Sequence, residues 1–226
     1  MKFNHFSIIS FVIVLIGAIS LSGCLNDSGS QISSDISFGL QIDGFDSTLV
    51  ASNDSVRIER MRFVYGNGTV VINGDTSTVL PSAANWIQFG ISQASNNPIL
   101  MFRANPGTFH HFVLSIQKAP ANNSNIDPDF TENTRHSMII EGKYNGSEFT
   151  YKSDRVFQIP LEIDPPVEVP DYNASYTFLI STSPRLWFIN ENGGFYNPSS
   201  AGDSTAINDN IQSAFSIEAV NNQNIF

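Results

Sequence analysis

The chain has 226 residues, and 21 Asp and Glu against 11 Lys and Arg give it a formal net charge of −10. This acidic balance argues against binding to nucleic acid phosphates and against docking on anionic lipid headgroups through a basic patch. Charged residues make up 14% of the chain, aromatic residues 12%, and there is one cysteine. The fold must therefore be held by packing and backbone pairing rather than by disulfides.

The N-terminus is arranged like a bacterial signal peptide. Lys2 precedes an apolar run from Ile8 to Ile19, which is shorter than the ~20 residues that a membrane-spanning helix needs. Leu21-Ser22-Gly23-Cys24 follows and resembles the lipobox of bacterial lipoproteins. The resemblance implies cleavage before Cys24, a diacylglycerol on its thiol, and a further acyl chain such as palmitate on the new N-terminus.

These features predict three segments: a signal peptide over 1–23, the lipidated Cys24 with a polar tether over 24–34, and a single domain over 35–226. Two or three acyl chains hold a protein stably on a membrane, so we expect a lipid-anchored protein of the cell envelope. Leu25 follows the cysteine where enteric bacteria often place an acidic residue for inner-membrane retention. This favours the outer membrane if the host has one.

Apolar residues at every second position predict strands in the first half of the domain. In 36–42 the alternation is regular, whereas in 55–65 it slips between Ile58 and Met61, which predicts a β-bulge. Asn67-Gly68 then predicts a hairpin that joins 55–65 to the next strand. Further strands are expected at 85–91 and 106–117.

In the second half, Asn145-Gly146 predicts a hairpin within 137–151. Pro160 lacks a backbone donor, so 155–163 should be an edge strand or should end there. The sequence DPPVEVP predicts a stiff connecting loop over 164–170, and the last strands are expected at 175–182 and 185–189.

The final segment, 203–220, has Ile207, Ile211 and Phe215 at intervals of four, which predicts a helix. Together these elements predict an all-β fold, an antiparallel β-sandwich with one C-terminal helix. Over 36–163 the order of segments resembles lipoprotein domains of unknown function. That resemblance implies a fold and no activity, and it rests on Trp86, Pro106-Gly107-Thr108 and the hairpin over 140–146.

His110, His111 and His136 are candidate metal ligands, in the style of periplasmic copper sites. Adjacent residues of a regular strand point to opposite faces, so His110 and His111 should not share one ion. Ordinary strand or turn histidines are the alternative interpretation.

Asn125, Asp127 and Asp129 alternate as at the start of a calcium loop. The sixth and twelfth positions of that loop would be Phe130 and His136, where an EF-hand has Gly and Glu. An ordinary Asx-rich turn is therefore the alternative to calcium binding.

Four aromatic residues could form a platform for sugar rings, or could simply pack in the core: Trp86, Trp187, Phe195 and Tyr196. The sequence contains no recognisable catalytic motif, so we expect a non-catalytic protein with no cofactor other than a possible metal ion. The leading interpretation is a binding module for a glycan or protein ligand. The alternatives are a lipoprotein that binds copper or calcium, and a structural or assembly subunit.

Overall fold

The computed structural model describes residues 34–43, 47–66, 68–73, 76–80, 85–90, 97–104, 106–121, 126–131, 134–170 and 175–221, with backbone alone over 76–104. The predicted signal peptide, Cys24 and the tether up to residue 33 lie outside the described residues. Residues Ser33–Phe226 form one compact unit. A search of the described helices finds none with the length and hydropathy needed to span a membrane.

The described residues form two short α-helices and a 3-10 turn at Pro128–Phe130, set among thirteen strands. The helices are α1 (Pro184–Phe188) and α2 (Ser204–Ser213). The strands are β1 (Ser34–Ile42), β2 (Thr48–Ala51), β3 (Asp54–Tyr65), β4 (Gly68–Ile72), β5 (Thr76–Leu80), β6 (Asn85–Gly90), β7 (Asn97–Ala104), β8 (Gly107–Ile116), β9 (Met138–Tyr144), β10 (Ser147–Ser153), β11 (Phe157–Val169), β12 (Ser175–Thr182) and β13 (Phe215–Asn221).

The strands form two sheets. The small sheet has the order β13-β12-β1-β7, and the large sheet has the order β10-β9-β3-β8-β4-β5, with β11 paired to β8 and both β2 and β6 paired to β3. Every described pair is antiparallel except β1 with β12, which is parallel. The predicted antiparallel β-sandwich with a C-terminal helix is thus confirmed, with one parallel pair added.

Aromatic side chains join the two sheets face to face. Phe38 of the small sheet stacks on Phe112 of the large sheet with ring centres 4.1 Å apart, and Phe109 lies 5.9 Å from Phe178. All four rings are buried, and burial of such a side chain stabilises a fold by roughly 1.5–3 kcal/mol. We call the face of the large sheet turned away from these contacts its outer face.

Two local predictions in the large sheet are confirmed. Asn145 and Gly146 have φ of 51° and 82°, the left-handed values that a two-residue hairpin between β9 and β10 needs. The pairing of β3 with β9 shifts register between Ile58 and Arg60, so Glu59 is the extra residue of the predicted bulge. Pro160 also lies on an edge strand, because within the described residues β11 pairs with β8 alone.

Other local predictions are wrong. β4 pairs with β5 and β8, so Asn67-Gly68 does not lead into a hairpin with β3. The expected loop over 164–170 instead continues β11 after a register break between Glu162 and Val167.

The last predicted strand and the predicted helix also differ from the structure. Residues 185–189 were expected in a strand but largely form α1, because Pro184 suits the first position of a helix. α2 ends at Ser213, so Phe215 begins β13 instead of continuing the helical face.

Candidate functional site

The two aspartates of the predicted calcium loop bind an arginine. Arg62 Nη1 donates hydrogen bonds to Asp127 Oδ2 at 2.6 Å and to Asp129 Oδ2 at 2.7 Å. Its Nη2 donates to Glu141 Oε1 at 2.8 Å. The Arg62 side chain is 1% exposed, so the guanidinium occupies the position that a cation would need. Asn125 lies outside the described residues.

The charges of this cluster support each other. Burial opposes the charge on Arg62, but Asp129, Asp127 and Glu141 outweigh it and raise the pKa of the guanidinium. The hydrogen bond from Arg62 in turn holds the pKa of Asp129 below its ordinary value. The calcium-loop interpretation is therefore corrected: these residues anchor an Asx-rich turn to the outer face of the large sheet.

An apolar cluster accompanies the ion pairs. The Arg62 guanidinium lies 5.9 Å from the ring centre of Phe130 in the 3-10 turn. Phe130 belongs to a small buried group that is separate from the main core and that also contains Val64, Ala119, Ile126 and Ile139. The segment after β8 is thus packed onto the outer face of the large sheet by both charge and apolar burial.

His110 and His111 lie on the same side of β8, contrary to the expectation from a regular strand. Phe109 and Phe112 are both buried, and the two histidines between them in the sequence are both half-buried. The cause is a register shift between β4 and β8. Val71 and Ile72 are neighbours on β4 but pair with His111 and Phe109, so His110 is an extra residue of β8. The two imidazole centres are 6.3 Å apart.

His136 is not brought to this pair. Its carbonyl accepts a hydrogen bond of 3.0 Å from the amide of Ala119, which follows the end of β8. The strand from His110 to Ile116 alone spans ~20 Å at ~3.3 Å per residue. Among the described residues, no group of three or more His, Cys, Asp or Glu side chains is arranged to hold a metal ion.

The predicted aromatic platform is largely buried. Trp187 is 0% exposed and its Nε1 donates a 2.8 Å hydrogen bond to Thr182 Oγ1, while Phe195 is 3% exposed. Neither ring can stack on a sugar, so both belong to the core, which was the alternative interpretation. Tyr196 is half-buried against the core. Trp86 lies on β6 opposite Val64, and its side chain is outside the description.

Asp54, which the sequence did not single out, joins three loops at one end of the large sheet. Its Oδ1 accepts hydrogen bonds of 3.0 Å from the hydroxyl of Tyr144 and from Nδ2 of Asn145. Its Oδ2 accepts a 3.3 Å bond from the amide of Phe195. These partners are 90 to 141 residues away along the chain. No local pattern could therefore have indicated them.

We call this end the Asp54 pole and define it by the turn at 52–54, the turn at 145–146 and the loop over 190–197. Hydrogen bonds from Asn145, Phe195 and Tyr144 hold the pKa of Asp54 below its ordinary value. In the third loop, Asn190 Oδ1 accepts from the amides of Asn192 at 2.9 Å and Gly194 at 3.0 Å. Hydrogen bonds therefore join the three loops of the pole.

Exposed polar groups cover the Asp54 pole. Ser52, Asn53, Glu191 and Asn192 are exposed, and Ser52 Oγ also donates to the carbonyl of Gly193 at 3.2 Å.

A shallow groove of about 480 Å³ lies away from the Asp54 pole and contains none of the predicted site residues. It is lined by Asn73, Pro106, Gly107, Thr108, Glu168, Val169 and Pro170.

Comparison of the chain with protein-family models, with curated proteins and with solved structures finds no match.

Proposed function

We propose that this chain is a lipid-anchored, non-catalytic binding module of the bacterial cell envelope, and that it binds a glycan at the Asp54 pole. The lipobox-like sequence that ends at Cys24 supports the anchor. The observation that supports binding is the carboxylate of Asp54, which holds three loops together through Tyr144, Asn145 and Phe195. Binding sites are commonly built from loops that a rigid scaffold positions.

The chemistry of the pole suits a ligand rich in hydroxyl groups. Amide and hydroxyl side chains at Ser52, Asn53 and Asn192 both donate and accept hydrogen bonds. Antibody binding loops are likewise enriched in Asn, Ser, Gly and Tyr, of which Asn and Ser supply adaptable hydrogen bonds. Because Asp54 already joins the loops by hydrogen bonds, less conformational entropy should be lost on binding than with unjoined loops.

The anchor can be tested by metabolic labelling. The full chain would be expressed in a bacterium fed an alkyne-tagged palmitate, and the label on the purified protein would be measured. We expect labelling of the wild type and its loss in Cys24→Ser. Equal labelling of both proteins, or of neither, would reject lipidation at Cys24 independently of any result on ligand binding.

Glycan binding can be tested on an array of bacterial polysaccharides with the fluorescent full chain. We expect binding to a subset of glycans that is lost in a double variant, Asn53→Ala with Asn192→Ala. Glu218→Gln, an exposed residue of β13 in the small sheet, is the matched control and should bind normally. Absence of binding, or binding unchanged in the double variant, would reject the pole as a glycan site.

A protein ligand and a role as an assembly subunit are the alternatives for the same domain. Within the described residues, β10 pairs with β9 alone, so its other edge offers backbone donors and acceptors. Self-association of the full chain in detergent micelles, measured by sedimentation, would favour assembly over glycan binding.

A further inference from the structure

We propose that His110 and His111 together bind one divalent transition-metal ion, such as Zn²⁺, on the outer face of the large sheet. This metal site depends on the β-bulge in β8 and not on the proposed glycan site. In a regular strand one of these imidazoles would point into the core. The bulge at His110 instead turns both to the outer face, while Phe109 and Phe112 on either side in the sequence stay buried in the core.

The distance between the rings suits a shared ion. With Zn–N bonds of ~2.0 Å and tetrahedral geometry, two imidazole ligands of one zinc have ring centres ~5 Å apart. The observed separation of His110 and His111 is 6.3 Å. A rotation of the side chains that brings the two ring centres about 1 Å closer would place one nitrogen of each ring on the same ion.

The neighbouring strand supplies carboxylates. Glu162 of β11 pairs directly with His111, and residues opposite each other on one face have Cβ atoms ~5 Å apart. Asp164 follows where β11 bulges away from β8, and both carboxylates are exposed. Because no third ligand is already in place among the described residues, the site offers two imidazoles, with Glu162 or water completing the coordination. We infer a surface site that captures metal reversibly rather than one that holds the fold together.

The charge of the protein favours this role. A net charge of −10 raises the local concentration of divalent cations around the chain. Imidazole nitrogen then selects borderline transition metals over Ca²⁺ and Mg²⁺, which prefer oxygen ligands. β8 and β11 contribute no residue to the Asp54 pole, so the metal site and the proposed glycan site are independent.

The direct test is a Zn²⁺ titration of the full chain, labelled with ¹⁵N-histidine, purified without a histidine tag and held in detergent micelles at neutral pH. Long-range proton–nitrogen spectra resolve the ring nitrogens of each histidine. We expect the signals of His110 and His111 to shift together with one saturation curve, while those of His136 stay unchanged. Independent curves, or no shift up to millimolar Zn²⁺, would overturn the proposal.

Substitution gives a second readout. The chain has four histidines, and His136→Asn is the matched control for His110→Asn and His111→Asn. Loss of one of two ligands should weaken Zn²⁺ binding at least about tenfold, since even second-shell substitutions in metal sites cost 10–100-fold. Calorimetry would measure the affinity, and an unchanged thermal midpoint would show that each variant folds. Equal affinity in all variants, or an equal loss in His136→Asn, would reject the site.

Discussion

The guanidinium of Arg62 donates a 2.6 Å hydrogen bond to the carboxylate of Asp127, which lies 65 residues further along the chain. This contact ties the segment after β8 to the outer face of the large sheet. It also accounts for the alternating acidic residues that resemble the start of a calcium loop, because the cation they bind is part of the protein.

Replacement of Arg62 by Ala should destabilise the fold by about 3 kcal/mol, because it leaves Asp127, Asp129 and Glu141 facing one another with only the longer ion pairs to Arg60. Urea unfolding of the purified chain would measure the change. Arg60→Ala is the control, since Arg60 is 38% exposed and its ion pairs to Glu141 and Asp127 are 3.5 and 3.9 Å long. We expect that variant to change stability by less than about 1 kcal/mol. Equal losses in both variants would contradict the buried ion pair.

The Asp54 pole should lose stability in acid. Because the pKa of Asp54 is lower in the folded protein than its ordinary value of 3.8, its carboxylate stabilises the fold above that pH, and the contribution is lost as the pH falls through the folded pKa. Asp54→Asn should therefore be less stable than the wild type at neutral pH, and the gap should narrow below pH 3.8. Urea midpoints over this range would measure it.

The matched control for Asp54 is Asp154→Asn, which alters an exposed carboxylate 3.3 Å from Lys118. We expect it to produce a smaller loss at neutral pH. A constant gap between wild type and Asp54→Asn at every pH would show that the charge of Asp54 does not hold the loops.

Gly142→Ala should disrupt the pairing of β3 with β9. A Cβ atom at this position would lie 2.0 Å from the carbonyl oxygen of Arg57, so the backbone at the bulge must move. We expect a loss of at least about 3 kcal/mol, the upper range for overpacking. Gly202→Ala is the control, because its Cβ meets nothing closer than Ser200 Oγ at 3.6 Å, and it should stay within about 0.5 kcal/mol. Similar unfolding curves for the two variants would contradict the close approach.

Trp187 should behave as a core residue. The chain has two tryptophans, so Trp86→Phe isolates the fluorescence of Trp187. We expect emission at short wavelength that iodide quenches poorly. Trp187→Phe should lower stability by about 2 kcal/mol, because it removes part of a buried ring and the hydrogen bond to Thr182. Efficient quenching would restore the sugar-platform interpretation.

Local signals in the sequence predicted only part of the local structure. The hairpin at 145–146 and the bulge in β3 are confirmed, whereas the hairpin expected at 67–68, the loop over 164–170 and the strand over 185–189 are wrong. A two-residue hairpin turn needs left-handed φ values that Asn and Gly adopt readily, and Asn145-Gly146 adopts them. The same pair of residues at 67–68 does not lead into a hairpin with β3, so the strand partners also decide the outcome. The slip between Ile58 and Met61 likewise indicated a bulge. The alternation of apolar residues also slips between Phe109 and Phe112, which are both buried. This slip indicates that both histidines between them lie on one face.

Long-range contacts could not be predicted. The partners of Asp54 and Arg62 are at least 65 residues away in the chain, and many exposed carboxylates share the same local pattern. The burial of Trp187 could not be predicted from the sequence either. An aromatic residue next to a glycine-rich loop suits a binding surface and a core equally well, and its burial depends on how α1 packs.

The parallel pairing of β1 with β12 determines when the small sheet can form during synthesis. The hydroxyl oxygens of Ser37 and Thr177 lie 2.9 Å apart although 140 residues separate them. β1 is made first and sits between β7 and β12, so it lacks one of its two neighbours until the chain has been made as far as Thr182. Contacts this distant slow folding, because a large loop must close before they stabilise anything. The small sheet can therefore be completed only when nearly all of the chain has been made.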